Sequence, residues 1–280
     1  MQRLDVHPSI LSAYTAGNGE LRRPCRPGIM PRKAAAVSTG FSNVYDDDER
    51  ADSYAVLEFP GTYWLAYRDI PALIEAHVQG TRALDFGCGT GRSTRFLRDL
   101  GFEVVGLDIA ESMLVRAREL DPEGDYRLVP DGELPGLNPE SFDLILSAFT
   151  FDNIPEFAVK VALLTALRRL LVPGGRMVNL VSSPLIYLNE WASFSTKDFP
   201  ENRDARDGDT VRIVMLDVAD NRPVEDVLCT GEAYGTAYGL AGLAPIEVHR
   251  PLGAPDEPFE WVSETEISPW ALYVLERAPH

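Results

Sequence analysis

Asp85, Gly87, Gly89 and Gly91 stand together in the stretch A-L-D-F-G-C-G-T-G-R (83–92), where an apolar run ends in a carboxylate and three glycines follow within five residues. A glycine-rich turn between a buried strand and a helix permits positive φ and brings backbone close to a ligand, because Cβ is absent. The spacing departs from the G-x-G-x-x-G of a dinucleotide loop, whose third glycine would stand where Arg92 is. Asp85 would also repel a pyrophosphate and suits a ligand carrying an ammonium group. A second apolar run ends at Asp108, where a carboxylate can accept both hydroxyls of a ribose. Ile109 and Met113 follow and can sandwich an adenine through dispersion and sulfur contacts. After a third run, Pro130-Asp131-Gly132 offers a carboxylate to an exocyclic amine and a backbone N–H to a ring nitrogen. The set describes adenosine with a cationic amino-acid tail and no phosphate.

Short apolar runs at 83–86, 103–108, 126–129, 142–147 and 176–181 read as buried strands that would hold these residues. Helical spacing over 93–100, 110–120 and 157–171 alternates with them, which predicts an α/β fold with a mostly parallel, doubly wound sheet. The aromatic stretch 44–77 predicts two helices broken at Pro60-Gly61. Beyond 181 the pattern changes: 191–209 is polar, 210–216 and 224–230 read as a hairpin laid over the core, 232–242 as a helix, and 245–250 and 270–275 as closing strands.

Composition excludes several function classes. The first 40 residues hold six basic and two acidic groups, and the other 240 hold 20 basic and 41 acidic, a body that repels a phosphate backbone and argues against a nucleic-acid partner. No apolar run is long enough for a membrane span, and the N-terminus lacks the continuous apolar segment of a secretory signal, so the reading is a cytoplasmic protein with no membrane partner. Three cysteines without C-x-x-C spacing and four scattered histidines support neither a disulfide framework, a metal site nor a catalytic triad. Cys88, inside the glycine loop, reads as a small tolerated residue. The basic, proline-interrupted head reads as a flexible extension.

In this order D-F-G-C-G-T-G, G-L-D-I-A-E-S-M-L, V-P-D-G-E-L-P, S-F-D-L-I-L-S and L-V-P-G-G-R-M-V resemble the class I S-adenosylmethionine-dependent methyltransferases from about residue 80 to 181. The resemblance implies a Rossmann-like methyltransferase fold with a reversed last strand near 270–275. It implies S-adenosylmethionine as cofactor, with Asp85 and the Gly87, Gly89, Gly91 loop on its methionine portion, Asp108 on the ribose, Asp131 and Gly132 on the adenine, and Ser147 and Phe149 flanking it beside the fourth strand. Pro130 stands where the family usually has glycine. The expected organisation is a 1–40 extension and one 41–280 domain: cap helices 41–79, cofactor core 80–181, substrate cap 182–230 and completion of the sheet 231–280.

Methyl transfer is an in-line displacement in which positioning supplies much of the catalysis, so a dedicated base is optional. Candidate substrate-wall residues are Tyr54, Tyr63, Trp64, Phe149, Phe151, Asn153 and Trp191, with Trp261 and Glu264 later, and Tyr63 or Asp152 could orient or deprotonate an acceptor. Aromatic caps favour a small-molecule metabolite methylated on O, N or a carboxylate. Methylation of a peptide or protein, a non-methylating cofactor-binding protein and, more distantly, a nicotinamide dehydrogenase stay open, as does the oligomeric state.

Overall fold

The computed structural model describes residues 60–129, 134, 136–218, 220 and 222–279. The 1–40 extension, the helix expected before Pro60, Tyr54, Asp131 and Gly132 lie outside these residues.

Helices α1 (Gly61–Arg68) and α2 (Ile70–His77) come first. The proline at 60 sets the start of α1, and a second break was not foreseen: Pro71 sits in the first turn of α2, where its missing N–H cannot continue the hydrogen-bond ladder of α1. Strands β1 (Arg82–Phe86), β2 (Glu103–Asp108) and β3 (Asp125–Leu128) then alternate with α3 (Arg92–Asp99) and α4 (Glu111–Leu120). β4 (Phe142–Ala148), α5 (Phe157–Leu170) and β5 (Leu171–Ser182) follow. After β5 come β6 (Phe194–Ser195), β7 (Thr210–Met215) and β8 (Val224–Val227), then α6 (Gly231–Ala241), β9 (Leu243–His249) and β10 (Trp270–Arg277).

The main sheet has the order β3-β2-β1-β4-β5-β10-β9. β1 to β5 run parallel, while β10 is antiparallel to both β5 and β9, which is the reversed last strand expected near 270–275. Strand order reverses between β1 and β4, so the crevice beyond their C-terminal ends is where an open α/β sheet places a ligand. Both faces are covered. Leu144 and Leu146 of β4, Val178 and Leu180 of β5 and Leu272 and Val274 of β10 pack with α1, α2, Leu97 of α3 and the small β6-β7-β8 sheet. Ile145, Met177, Ala271 and Tyr273 pack on the other side with Leu164 and Leu167 of α5 and Tyr234 and Tyr238 of α6. Two-sided burial is the reason these strands read as continuous apolar runs.

Three boundaries differ from the sequence reading. β5 begins at Leu171 and absorbs Pro173-Gly174-Gly175, with Gly174 at φ 83 and a register shift against β4 between Phe142 and Leu144. The 224–230 strand ends at Val227, and Thr230 instead caps α6, its hydroxyl accepting from Ala233 N at 3.3 Å. The polar 191–209 stretch is ordered around Asn202, a buried amide that donates to the Tyr187 and Arg212 carbonyls and accepts from Arg212 N. Its strand β6 widens the expected hairpin to three strands.

Candidate functional site

The chain leaves β1 through the glycine loop, and two N–H groups, of Gly87 and Cys88, donate to the Leu107 carbonyl at 2.8 and 2.9 Å. Gly87, Gly89 and Gly91 all have positive φ (77, 53 and 79°), so each adopts a backbone that side chains disfavour. Their surroundings differ. A Cβ on Gly87 would stand 2.0 Å from Thr150 Oγ1 and one on Gly91 2.5 Å from the Tyr126 hydroxyl, whereas a Cβ on Gly89 would meet nothing within 4 Å. Packing therefore explains two of the glycines, and the third faces open space. Cys88 is buried, and burial pushes its thiol well above the ordinary range, so it is no nucleophile.

Asp85 is fully buried and points toward α3, where Ser93 Oγ and Thr94 Oγ1 donate to Oδ2 at 2.7 and 2.6 Å. Its other oxygen, Oδ1, has no protein partner. Burial raises the carboxyl to about 6, only partly offset by the two hydroxyls. The N-terminus of α3 has no side-chain cap and no acidic residue in its first turn. Its first residue, Arg92, extends its guanidinium over the Tyr63 and Tyr67 rings of α1, 5.0 and 5.4 Å from their centroids. An unpartnered carboxylate oxygen and a cation at a helix N-terminus thus flank the same loop. Arg92 was not singled out from the sequence, although it occupies the position where a dinucleotide loop would have its third glycine.

Asp108 ends β2 and stitches the loop to it: Oδ2 accepts from Gly89 N at 2.8 Å and Oδ1 from Ala110 N at 2.9 Å. Ile109 beside it is 46% exposed, an apolar surface at the crevice mouth, while Met113 is buried beneath in α4.

At the end of β4 the candidates separate. Phe149 has φ 63°, rare for an aromatic residue, and its ring meets Trp270 at 4.8 Å and Tyr63 edge-on at 5.8 Å. Asn153 Nδ2 donates to the Phe149 carbonyl at 3.0 Å. Ser147 is fully buried and lies opposite Asn179 in the β4–β5 register, on the α5–α6 side of the sheet, so its side chain does not flank the crevice. Phe151 is core, packed on Phe86, and Trp191 is core as well, donating to the Ile186 carbonyl. Asp152 is buried and holds Ser182 N at 2.8 Å and the Tyr234 hydroxyl at 3.1 Å, so it is not a base presented to an acceptor.

Tyr63 is nearly buried among Phe149, Phe194 and Trp270, with its hydroxyl directed at Met215 Sδ at 3.6 Å. Trp64 is half-buried against Phe259 and Arg68. Trp261 packs on Phe259 and donates to the Ala254 carbonyl. Glu264, fully buried, accepts from Thr62 Oγ1, Ala192 N, Val262 N and Ser263 N, a fastening and not a wall. Among the described residues no group of three or more His, Cys, Asp or Glu could hold a metal ion, and no helix is long and apolar enough to cross a membrane.

Comparison with known proteins bears on the fold and the sequence that carries this site. A family model described as a methyltransferase domain matches residues 84–179. Over 102 residues the chain is 34% identical to a ubiquinone biosynthesis O-methyltransferase of Bordetella pertussis, covering 35% of this chain and 41% of that protein. It is 32% identical over 104 residues to an N-demethylindolmycin N-methyltransferase of Streptomyces griseus, covering 36% and 44%. The chain thus spans about two fifths of the length of the curated relatives it matches. Among solved structures, the CcbJ methyltransferase of Streptomyces caelestis superposes with a TM-score of 0.59 at 19% identity, over 85% of this chain and 100% of that one. An S-adenosylmethionine-dependent methyltransferase of Mesorhizobium loti gives 0.55 at 22% identity, over 76% and 98%; both likenesses are of fold. Residues 84–179 thus match a methyltransferase domain, and the sheet that carries them has the fold of S-adenosylmethionine-dependent methyltransferases.

Proposed function

We propose that this chain is a methyltransferase that moves the methyl group of S-adenosylmethionine to an O, N or carboxylate of a small molecule. The observation that carries the reading is the pairing, around one glycine loop, of a buried carboxylate oxygen without a partner and a guanidinium at an uncapped helix N-terminus. These are the complements of an ammonium and a carboxylate, the two ends of an amino-acid tail. Between them, the open space at Gly89 admits a ligand against bare backbone. Asp108 would take the ribose hydroxyls and Ile109 one face of the adenine, the roles that the Asp131 and Gly132 loop would complete.

When bound, the cofactor supplies a methyl group on a positively charged sulfur, an electrophile that needs alignment more than activation. The chain's own residues then bind, orient and exclude water. Asp85, Arg92 and the loop would anchor one end of the cofactor and Asp108 the middle, leaving the reacting centre at the ends of β1 and β4. There the Phe149 and Tyr63 rings form an apolar wall. No side chain of the described wall is a strong base: the Tyr63 hydroxyl faces sulfur and Asp152 is held inside the core. The reading is therefore a site that acts by positioning, on an acceptor that is already nucleophilic or loses its proton to solvent. Support for a small molecule comes from the aromatic wall and from the relatives named as a ubiquinone biosynthesis O-methyltransferase and an N-demethylindolmycin N-methyltransferase.

Two experiments test this. Calorimetry should find S-adenosylhomocysteine bound by the wild-type chain. Asp108→Ala should weaken it by about 2 to 4 kcal/mol, and Arg92→Met should weaken it while leaving methylthioadenosine, which lacks the amino-acid carboxylate, almost unaffected. No binding to the wild type removes the cofactor reading, and equal loss of both ligands in Arg92→Met removes Arg92 from the tail. Incubation of cell extract with methyl-deuterated cofactor should then label a small molecule, whereas label found only in protein would reject the acceptor class.

A further inference from the structure

Behind the crevice lies a buried polar cluster that methyl transfer does not use. Asp152, on the short 3-10 turn Thr150–Asn153 after β4, accepts from Ser182 N at the end of β5 and from the Tyr234 hydroxyl of α6. Lys160, almost fully buried in α5, donates from Nζ to the Phe151 carbonyl at 2.5 Å and lies 5.5 Å from the Tyr234 ring centroid. Burial lowers the lysine's affinity for its proton and raises that of Asp152, while the two opposite charges oppose both effects. Such a pair is costly to bury, and removing one member leaves the other uncompensated.

The turn this cluster holds is the one that shapes the glycine loop. Thr150 Oγ1 donates to the Phe86 carbonyl at 2.9 Å and lies where a Cβ on Gly87 would be, so the turn packs directly on the loop backbone. Next to it, Phe149 is held in its positive-φ conformation by its N–H donating to the Leu180 carbonyl and by Asn153. An aromatic residue stays in that conformation only where its surroundings over-determine it.

We propose that Asp152 is a positioning residue for the cofactor loop: by tying the turn to β5 and α6 it keeps Phe149 and Thr150 pressed against Gly87, with Lys160 as its buried counter-charge. The role takes the glycine loop as the seat of the cofactor, as proposed above, but the mechanical link stands in the ligand-free chain.

Hydrogen exchange and calorimetry on the full chain test it together. Asp152→Ala should raise amide exchange in 84–91 and 147–153 while sparing 157–170, and should weaken S-adenosylhomocysteine by about tenfold or more at a temperature well below melting. Asp152→Asn combined with Lys160→Met keeps the side-chain shape and the acceptor for Ser182 N without a stranded charge, and should return affinity to within about threefold of wild type. Unchanged affinity in Asp152→Ala, exchange raised evenly along the chain, or no rescue by the neutral pair would overturn the role. If Asp152→Ala does not fold, Thr150→Val decides: it deletes the bond to Phe86 at constant shape, should show the same local loosening and weaker binding, and wild-type behaviour in it sinks the proposal. Failure of the wild type to bind the ligand would refute the cofactor reading alone, because the exchange pattern of the free protein still decides the role of Asp152.

Discussion

Asp85 shows what burial without full pairing costs a single carboxylate. Burial without full pairing lifts its carboxyl from the ordinary 3.8 to about 6, so the folded chain holds this proton more tightly than the unfolded one. Stability from this group is therefore present below about pH 4 and is lost as pH rises toward 6, by roughly 3 kcal/mol at the upper end. Asp85→Asn should melt higher than wild type at pH 8 and bind S-adenosylhomocysteine more weakly there, and should converge with it in stability near pH 4, where the carboxyl is protonated. Thermal melts that differ equally at the two pH values would show that the carboxyl is not strained. Arg92 belongs to the same residue scale: its type was visible in the sequence, but its place over two tyrosines of α1 was not.

At the scale of elements, the β1–α3 turn divides its glycines by cause. Gly87 combines φ 77° with a Thr150 contact that leaves no room for a methyl group, so Gly87→Ala should cost about 3 kcal/mol or more in a urea melt. Gly89 has only the backbone penalty, and Gly89→Ala should cost roughly 1 kcal/mol while strongly reducing cofactor affinity, because the added methyl would occupy the open space proposed for the ligand. Equal destabilisation by the two variants would contradict the distinction. Element legibility followed the same local physics. Apolar runs at β1, β2 and β4 were found within a residue of their ends because burial on both faces leaves a one-dimensional mark. The α1–α2 break and the onset of β5 were missed: a proline in a first turn and a Pro-Gly-Gly bulge depend on which neighbour takes each backbone bond.

Across the whole molecule, α1 is fastened at its N-terminal end. Thr62 donates from its hydroxyl to Glu264 Oε1 at 2.6 Å and from its N–H to Ser193 Oγ at 2.9 Å, and its carbonyl accepts from Trp270 Nε1 at 2.8 Å. Glu264 thereby joins α1, the 192 region and the loop before β10 through four donors, with no exposed surface of its own. Glu264→Ala would strand those donors in the interior and should destabilise the chain by about 3 to 5 kcal/mol, measured by denaturant unfolding. A loss below 1 kcal/mol would mean that water replaces the carboxylate and that α1 is held mainly by its aromatic contacts. This fastening holds Tyr63 and the rest of α1 against Trp270 and the 192 region.

The order of the β1–β5 elements, the mostly parallel sheet, the glycine loop and the carboxylate ending β2 were determined by sequence alone, because each depends on residue type and short-range spacing, whereas the reversed last strand was implied only by the family resemblance. Asp152, Phe151, Trp191 and Glu264 could be recognised there only as chemistry-bearing residues near the right strands. Their partners decide what they do, and those lie far along the chain: Asp152 meets residues 30 and 82 positions away, and Glu264 meets Thr62 across 202. Only the tertiary structure turned these four inward and brought Arg92 to the aromatic wall. Burial and hydrogen-bond satisfaction are properties of packed neighbours, and no local period records them.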